Sequence, residues 1–369
     1  MEKSKVYFTD FRCYSGYNRQ QKLEKLIKTA GISELDLKGK FVAIKMHFGE
    51  PGNLSFLRPN YAKTVADVVK ELGGIPYLVD CNTLYTGRRK NALEHIESAY
   101  ENGFSPFSTG CHIIIGDGLK GTDETLVPVE NGEYVKEAKI GTGVMDADVI
   151  ISLTHFKGHE AAGFGGTMKN IGMGCGSRAG KKEMHSAGKP QVNSELCIGC
   201  GKCTQICAHE GAVVEDGIAH IYHDKCAGCA RCIAVCPVKA IAPTEDNAND
   251  VLNYKIAEYT KAVIQHKPNF HINLVCEVSP NCDCHDENDV AIVPDIGMFA
   301  SFDPVAIDNA CADAVNAQPI MLKSCIDDHD HEHLDHLTHA HPDTNWRSVI
   351  DHAEKIGLGT REYELITIK

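Results

Sequence analysis

Phe41-Val42-Ala43-Ile44-Lys45-Met46-His47 and Pro76-Tyr77-Leu78-Val79-Asp80-Cys81 are two nearly continuous apolar runs, and between them Val65, Val68, Val69 and Leu72 of the segment Tyr61–Leu72 recur at helical spacing. A strand that is apolar at successive positions is buried on both faces, as happens where helices cover a parallel sheet. Strand, helix, strand therefore reads as a parallel unit. The same rhythm extends outward, with strands expected at Lys5–Asp10, His112–Gly116 and Asp148–Leu153 and helices at Gln20–Ala30 and Asn91–Asn102. It lapses over residues 190–245 and then returns. A helix at Val251–Gln265, strands at His271–Val278 and Val290–Val293, helices at Asp303–Val315 and Trp346–Ile356, and a strand at Tyr363–Ile368 are expected there. The predicted fold class is α/β: a mostly parallel open-sheet domain (1–189 and 246–369) interrupted by a small insert (190–245).

The insert carries the most specific pattern in the chain. Cys197, Cys200, Cys203 and Cys207 form C-x2-C-x2-C-x3-C, and Cys226, Cys229, Cys232 and Cys236, followed by Pro237, repeat that spacing 29 residues later. Three thiolates so spaced can surround one iron–sulfur cube in a tight loop while the fourth reaches the other cube. On this bacterial two-cluster ferredoxin pattern, Cys197, Cys200, Cys203 and Cys236 hold one [4Fe-4S] cluster and Cys226, Cys229, Cys232 and Cys207 the second. Structural zinc in four-cysteine sites and free buried thiols are the competing readings. The duplicated spacing and the terminal Cys-Pro favour iron and sulfide. Ile198, Ile206, Ile233, Val235 and Ile241 are expected to shield the sulfurs from water.

Composition bears on what the cysteines mean. The chain has 369 residues and 17 cysteines, well short of the ~8–10% of a disulfide scaffold. Its N-terminus, Met1-Glu2-Lys3-Ser4-Lys5-Val6-Tyr7-Phe8, lacks the apolar core of an export signal, and runs such as Val149-Ile150-Ile151 are too short to span a bilayer. A cytoplasmic location is expected, where closely spaced thiols are metal ligands more often than disulfides. The net charge is −13, with no block of basic residues. Nucleic acid and anionic membrane are poor partners for such a chain.

Ligands of an open parallel sheet sit beyond the carboxyl ends of the strands. There the sequence puts Lys45, His47 and Glu50; Asp80 and Asn82; Asp117; His155, Lys157 and His159; Glu277; and Asp295. The densest piece is Thr154-His155-Phe156-Lys157-Gly158-His159, followed by Gly163-Phe164-Gly165-Gly166-Thr167-Met168-Lys169-Asn170. Histidines four apart can chelate a metal on a helix, but Gly158 between them and the lack of a Glu after the first tell against a zinc-protease site. Glycines and lysine at a strand end can cradle an anion. A loop with glycines for tight turns is the plain alternative. His155, Lys157, His159 and Lys169 are the candidates for binding an anionic ligand or for proton transfer.

Cys276, Cys282 and Cys284, with His285 and Cys175 as further donors, are candidates for a third metal site, against a pair of redox-quiet thiols in a turn. The tract Asp327–Asp343 holds six acids and six histidines without Lys or Arg, and reads as a solvated loop able to pick up metal. Cys13, Cys81, Cys111, Cys311 and Cys325 read as buried small hydrophobes.

The combination of His155-Phe156-Lys157-Gly158-His159, Gly165-Gly166-Thr167-Met168-Lys169-Asn170-Ile171-Gly172, the cysteine insert, Asn281-Cys282-Asp283-Cys284 and Pro294-Asp295-Ile296-Gly297 resembles the prokaryotic domain-of-unknown-function family 362, in its members with a two-cluster insert. The glycine-lysine loop is also similar, over a few residues, to nickel-pincer lactate racemases. The family resemblance implies an architecture and a cofactor but no substrate. The expected function is an iron–sulfur oxidoreductase or redox-dependent enzyme passing electrons from the insert to a ligand in the crevice, with a redox protein as partner. The alternatives are an electron carrier or adaptor docking on a partner oxidoreductase, and a metal-handling protein.

Overall fold

The computed structural model describes residues 3–84, 86–229, 231–244, 247–327 and 335–369. One sheet contains eight strands: β1 Ser4–Asp10, β2 Phe41–Lys45, β3 Ile75–Asp80, β4 His112–Ile115, β5 Val149–His155, β6 Asn269–Val275, β7 Gly297–Ser301 and β8 Tyr363–Thr367. The helices that position the site are α1 Arg19–Thr29, α2 Pro59–Glu71, α3 Ala92–Glu101, α4 Thr167–Cys175, α5 Ala248–Ile264, α6 Pro304–Asn316 and α7 Arg347–Lys355. The sheet order is β8-β1-β7-β6-β5-β2-β3-β4. Neighbours are parallel except β7, which runs antiparallel to both β1 and β6. The fold is thus mixed α/β with a large, mostly parallel sheet.

Burial follows the apolar reading. Every residue of β5 is buried. Ile44 and Ile151 meet Leu26 and Val65 of α1 and α2 on one face, while Ala43 and Ile150 meet Ile256 and Ile307 of α5 and α6 on the other. Each such aliphatic side chain contributes about 1.5–3 kcal/mol on burial, so a strand covered on both sides gains at every residue. The apolar runs are continuous for that reason.

One strand expectation changes. Val290–Val293 is not a strand: Ile292 and Val293 are buried, but Ile292 bonds through its backbone to Val278 and Met321 and joins no ladder. The strand is β7, seven residues further on. Its Gly297 sits where an added Cβ would collide with the Thr9 carbonyl of β1. The glycine needed for that close approach also weakens the strand signal.

The chain runs outward through β2, β3 and β4, returns to lay β5 on the other side of β2, and proceeds to β6. The reversal at β2/β5 is a topological switch point, where a crevice opens beyond the carboxyl ends of the strands. Between α4 and α5, strands Pro190–Val192 and Ile241–Pro243 pair antiparallel, and the cysteine-rich residues lie between them. Among the described residues no helix is long and apolar enough to cross a membrane.

Candidate functional site

An open cleft occupies the switch point, walled by Lys45, Asp80, Lys157, Lys169, Cys282 and Cys284 among others. Lys45 ends β2 with its ammonium buried, 3.0 Å from Asp80 Oδ1 at the end of β3 and 2.8 Å from Asn170 Oδ1 of α4. Burial alone would raise the Asp80 carboxyl, but Lys45, with His95 behind it, holds it well below the usual carboxylate range. Asn170 Nδ2 donates to the Lys45 carbonyl and to Thr154 Oγ1, tying β2 to β5 at the bottom of the crevice.

His155 ends β5. Its Nδ1 meets Asp283 Oδ2 at 2.8 Å and its Nε2 meets the Cys276 carbonyl at 2.7 Å. Both nitrogens are occupied by acceptors, so His155 positions the Asn281–Cys284 loop rather than offering a free ring nitrogen to a ligand. Lys157 supports the same carboxylate from 3.6 Å. Burial pushes Asp283 up, and His155 and Lys157 outweigh it, so this carboxyl stays ionised. On the far side, Arg89 pairs with Glu50 at 2.7 Å and donates to the Cys284 carbonyl at 3.2 Å. The loop that carries the two cysteines is therefore held from both flanks.

Cys282 and Cys284 are both buried, and a ring nitrogen of His159 and their two sulfurs all lie within 4.8 Å of one another. Lys169 Nζ stands 3.3 Å from Cys282 Sγ. The hydrogen bond between the two cysteines, then Lys169 and Lys157, draws the Cys282 thiol well below its usual range, and the resulting charge holds the proton on Cys284. Glu160, Cys284 and His285 form a second close group. Glu160 and Arg89 carry no motif and pass unnoticed in the sequence.

The glycine loop does not leave a helix N-terminus open for an anion. The first N–H groups of α4, from Thr167 and Met168, donate to Asp308 of α6 at 2.7 and 2.9 Å. Gly166 is glycine because a Cβ there would strike that carboxylate. The cations of the cleft, not a phosphate-type cradle, are what an anionic ligand would meet.

In the insert, Cys197, Cys200, Cys203 and Cys236 line one small cavity with Ile241 and Val214. Backbone N–H groups point at the sulfurs: Ala219 to Cys197, Gly211 to Cys207, Gly228 to Cys226 and Ala240 to Cys236, each at 3.3 Å. In the other set, burial pushes the Cys232 thiol up to about 12, with Cys229, Cys226 and Cys207 adding to it. Cys229 packs directly against Cys282 and Cys284. Ile241 and Ile233 pack with the cysteines as expected, but Ile198 is 63% exposed.

Other candidates lie elsewhere. Cys276 packs into the α1/α2 side of the core, and Cys175 lies at the end of α4, its thiol pushed up to about 11 by burial. Neither is among the close ligand groups, where His159 stands instead. Asn82 Nδ2 donates to Asp117 Oδ1 at 2.8 Å, while the Glu277 backbone N–H donates to Asp295 Oδ1 at the surface. Cys13 and Cys325 are exposed rather than buried. Of the acidic histidine tract, residues 328–334 fall outside the described residues. The remainder is not simply solvated: Asp335 caps the short helix His336–Ala340, and His341 Nε2 donates to the Pro280 carbonyl at 2.7 Å.

Fold and site together define a doubly wound α/β protein with a cationic switch-point cleft and a cysteine-rich, candidate metal-binding insert. The family model described as "Domain of unknown function (DUF362)" matches residues 42–313, and the chain belongs to that family. No curated protein matches the chain. Among solved structures, the lactate racemase apoprotein from Thermoanaerobacterium thermosaccharolyticum is similar at 11% identity and a TM-score of 0.36, covering 73% of this chain and 50% of that one. A protein from Thermotoga maritima is similar at 13% identity and a TM-score of 0.39, covering 73% and 54%. The chain thus spans about half the length of each.

Proposed function

We propose that this protein is an iron–sulfur oxidoreductase or redox-dependent enzyme whose insert, 190–245, holds two [4Fe-4S] clusters and whose cleft takes an anionic small molecule. Cys197, Cys200, Cys203 and Cys236 would hold one cluster, and Cys226, Cys229, Cys232 and Cys207 the other. The cavity lined by the first four and the backbone N–H groups aimed at sulfur in both sets support the fit, since such hydrogen bonds tune cluster potentials. When bound, the clusters supply one-electron chemistry. The chain's own part is to seat the ligand against Lys157 and Lys169, to exclude water with the buried loop, and to keep the cysteine sets close to the cleft.

The observation that carries this reading is the packing of Cys229 on Cys282 and Cys284, which form part of the cleft wall. A carrier that only shuttles electrons needs no such junction with a host cleft. Iron and acid-labile sulfide analysis of anaerobically purified protein, with EPR after reduction, tests it. About eight of each per chain and two interacting paramagnets are expected; a zinc-only protein would overturn it.

A carrier or adaptor docking on a partner oxidoreductase is the second reading, favoured by the exposure of Cys200 and Ile198 on the outer cysteine set. A metal-handling role is the third reading, and stoichiometric zinc at the group of His159, Cys282 and Cys284 would favour it. Reversible one-electron titration without any small-molecule ligand would favour the carrier.

A further inference from the structure

We propose that Cys282 and Cys284 are a redox-active cysteine pair that exchanges electrons with an anionic disulfide in the switch-point cleft. Their sulfurs lie within 4.8 Å of each other and both residues reach the cleft wall. Lys169 Nζ, 3.3 Å from Cys282 Sγ, and Lys157 nearby would attract the ligand's negative charge and stabilise a thiolate at Cys282.

The same surroundings are unsuited to a metal ion. His159 Nδ1 accepts from the Ala161 and Ala162 N–H groups at 3.1 Å, so the neutral ring carries its proton on Nε2, which is buried and makes no other hydrogen bond among the described residues. That ring has an N–H to donate to sulfur and no lone pair to give a cation. His285 Nε2 is engaged by Glu160 at 2.5 Å and its Nδ1 by Arg231. Two ammonium groups on the wall add repulsion. What surrounds the sulfurs is a set of donors to a thiolate.

The exchange balances as follows. Cys282 gives up its proton and, as the thiolate, attacks one sulfur of R–S–S–R, forming a mixed disulfide and releasing RS−, which takes up a proton in turn. Cys284 then gives up its proton and attacks Cys282 Sγ, closing the Cys282–Cys284 disulfide and releasing a second thiol. The dithiol has lost two electrons and two protons, and both have gone to the ligand. Reduction back requires two electrons and two protons. On the iron–sulfur reading, which this inference extends, the insert adjoining through Cys229 is their neighbouring one-electron source; the exchange itself does not depend on that reading.

Oxidised glutathione serves as the probe. The full chain, purified anaerobically and assayed for iron, is incubated with it, quenched in acid, alkylated and digested for mass spectrometry. The expected result is a peptide in which Cys282 and Cys284 are joined, and in Cys284→Ser a glutathione adduct held on Cys282. Lys169→Gln should slow the loss of the Cys282 thiol about tenfold relative to the exposed Cys13 in the same sample. Two alkylated cysteines after prolonged exposure overturn the proposal, as does one equivalent of zinc that Cys282→Ser releases. Full iron with unreactive cysteines counts against the pair alone. A joined pair in protein without iron supports the pair and counts against the clusters.

Discussion

Asp283 accepts the Nδ1 hydrogen of His155 at 2.8 Å, across 128 residues of sequence, and so fastens the Cys282–Cys284 loop to the end of β5. Lys157 shares the carboxylate, which is 1% exposed. Replacing Asp283 with Asn would leave two buried donors facing an uncharged amide, and breaking a buried pair from one side costs about 3–5 kcal/mol. Urea unfolding should register a loss of that size. Cys282 and Cys284 should also alkylate faster in the folded variant, because the loop has lost its anchor. A loss below about 1 kcal/mol with unchanged alkylation would mean that Arg89 and Glu50 suffice to hold it.

Gly172 tests the contact between the helices that bracket the insert. In an exposed helix interior, glycine to alanine stabilises by about 0.5–1 kcal/mol. Here the added Cβ would strike the Ile256 carbonyl of α5 and lie 2.8 Å from Thr260 Oγ1, whose hydroxyl bonds the Met168 carbonyl at 2.8 Å. The clash is with backbone and cannot be relieved by a rotamer. Gly172→Ala should therefore destabilise by about 1–3 kcal/mol, a reversal of sign that thermal unfolding would read directly.

Asp308 gives stability a pH dependence. Burial pushes its carboxyl up to about 7 from the usual 3.8, more than its bonds from Met168, Thr167 and Asn273 pull it down. A group whose folded pKa is raised contributes stability that is complete below the unfolded value and lost as pH rises through the folded one. The contribution is thus full below about pH 4 and fades toward pH 7. Chemical denaturation of the wild type between those values should show this decline, and Asp308→Asn, which cannot ionise, should flatten it while lowering stability overall through the weakened cap of α4.

The sheet was legible because its central strands are apolar at successive positions, a pattern few other environments produce. The strand that escaped, β7, is short, contains the glycine its packing requires, and follows Pro294-Asp295. Val290–Val293 misled because two buried β-branched residues look alike in a strand and in a loop folded onto the core. In the site, residues at strand ends could be anticipated from topology, and Lys45, His155, Lys157 and Lys169 do converge. What could not be anticipated are the partners that decide roles: Asp308 lies 141 residues from Thr167 and Arg89 39 from Glu50, and no spacing rule links them. Proximity in sequence also suggested Cys276 as a companion to Cys282. It stands at the end of β6 on the opposite face of the sheet, while His159, from the hairpin after β5, stands beside Cys282.

On the proposed two-cluster reading, local ligation can be told from crossed ligation by substitution within the cysteine sets. If each cluster were held by four cysteines adjacent in sequence, Cys236→Ser would disturb the set next to Cys282 and Cys284, to which Cys229 belongs. Cys236 instead lines the cavity of Cys197, Cys200 and Cys203, whereas Cys207 acts on Cys226, Cys229 and Cys232. Cys236→Ser should therefore lower iron from about eight to about four per chain and expose Cys197, Cys200 and Cys203 to alkylation, leaving Cys226 and Cys229 protected. Cys207→Ser should do the reverse and, through Cys229, also raise the reactivity of Cys282 and Cys284. Peptide mapping after alkylation distinguishes the two arrangements. Protection lost at Cys226 and Cys229 in Cys236→Ser would rule out crossed ligation even if the iron count fell as expected.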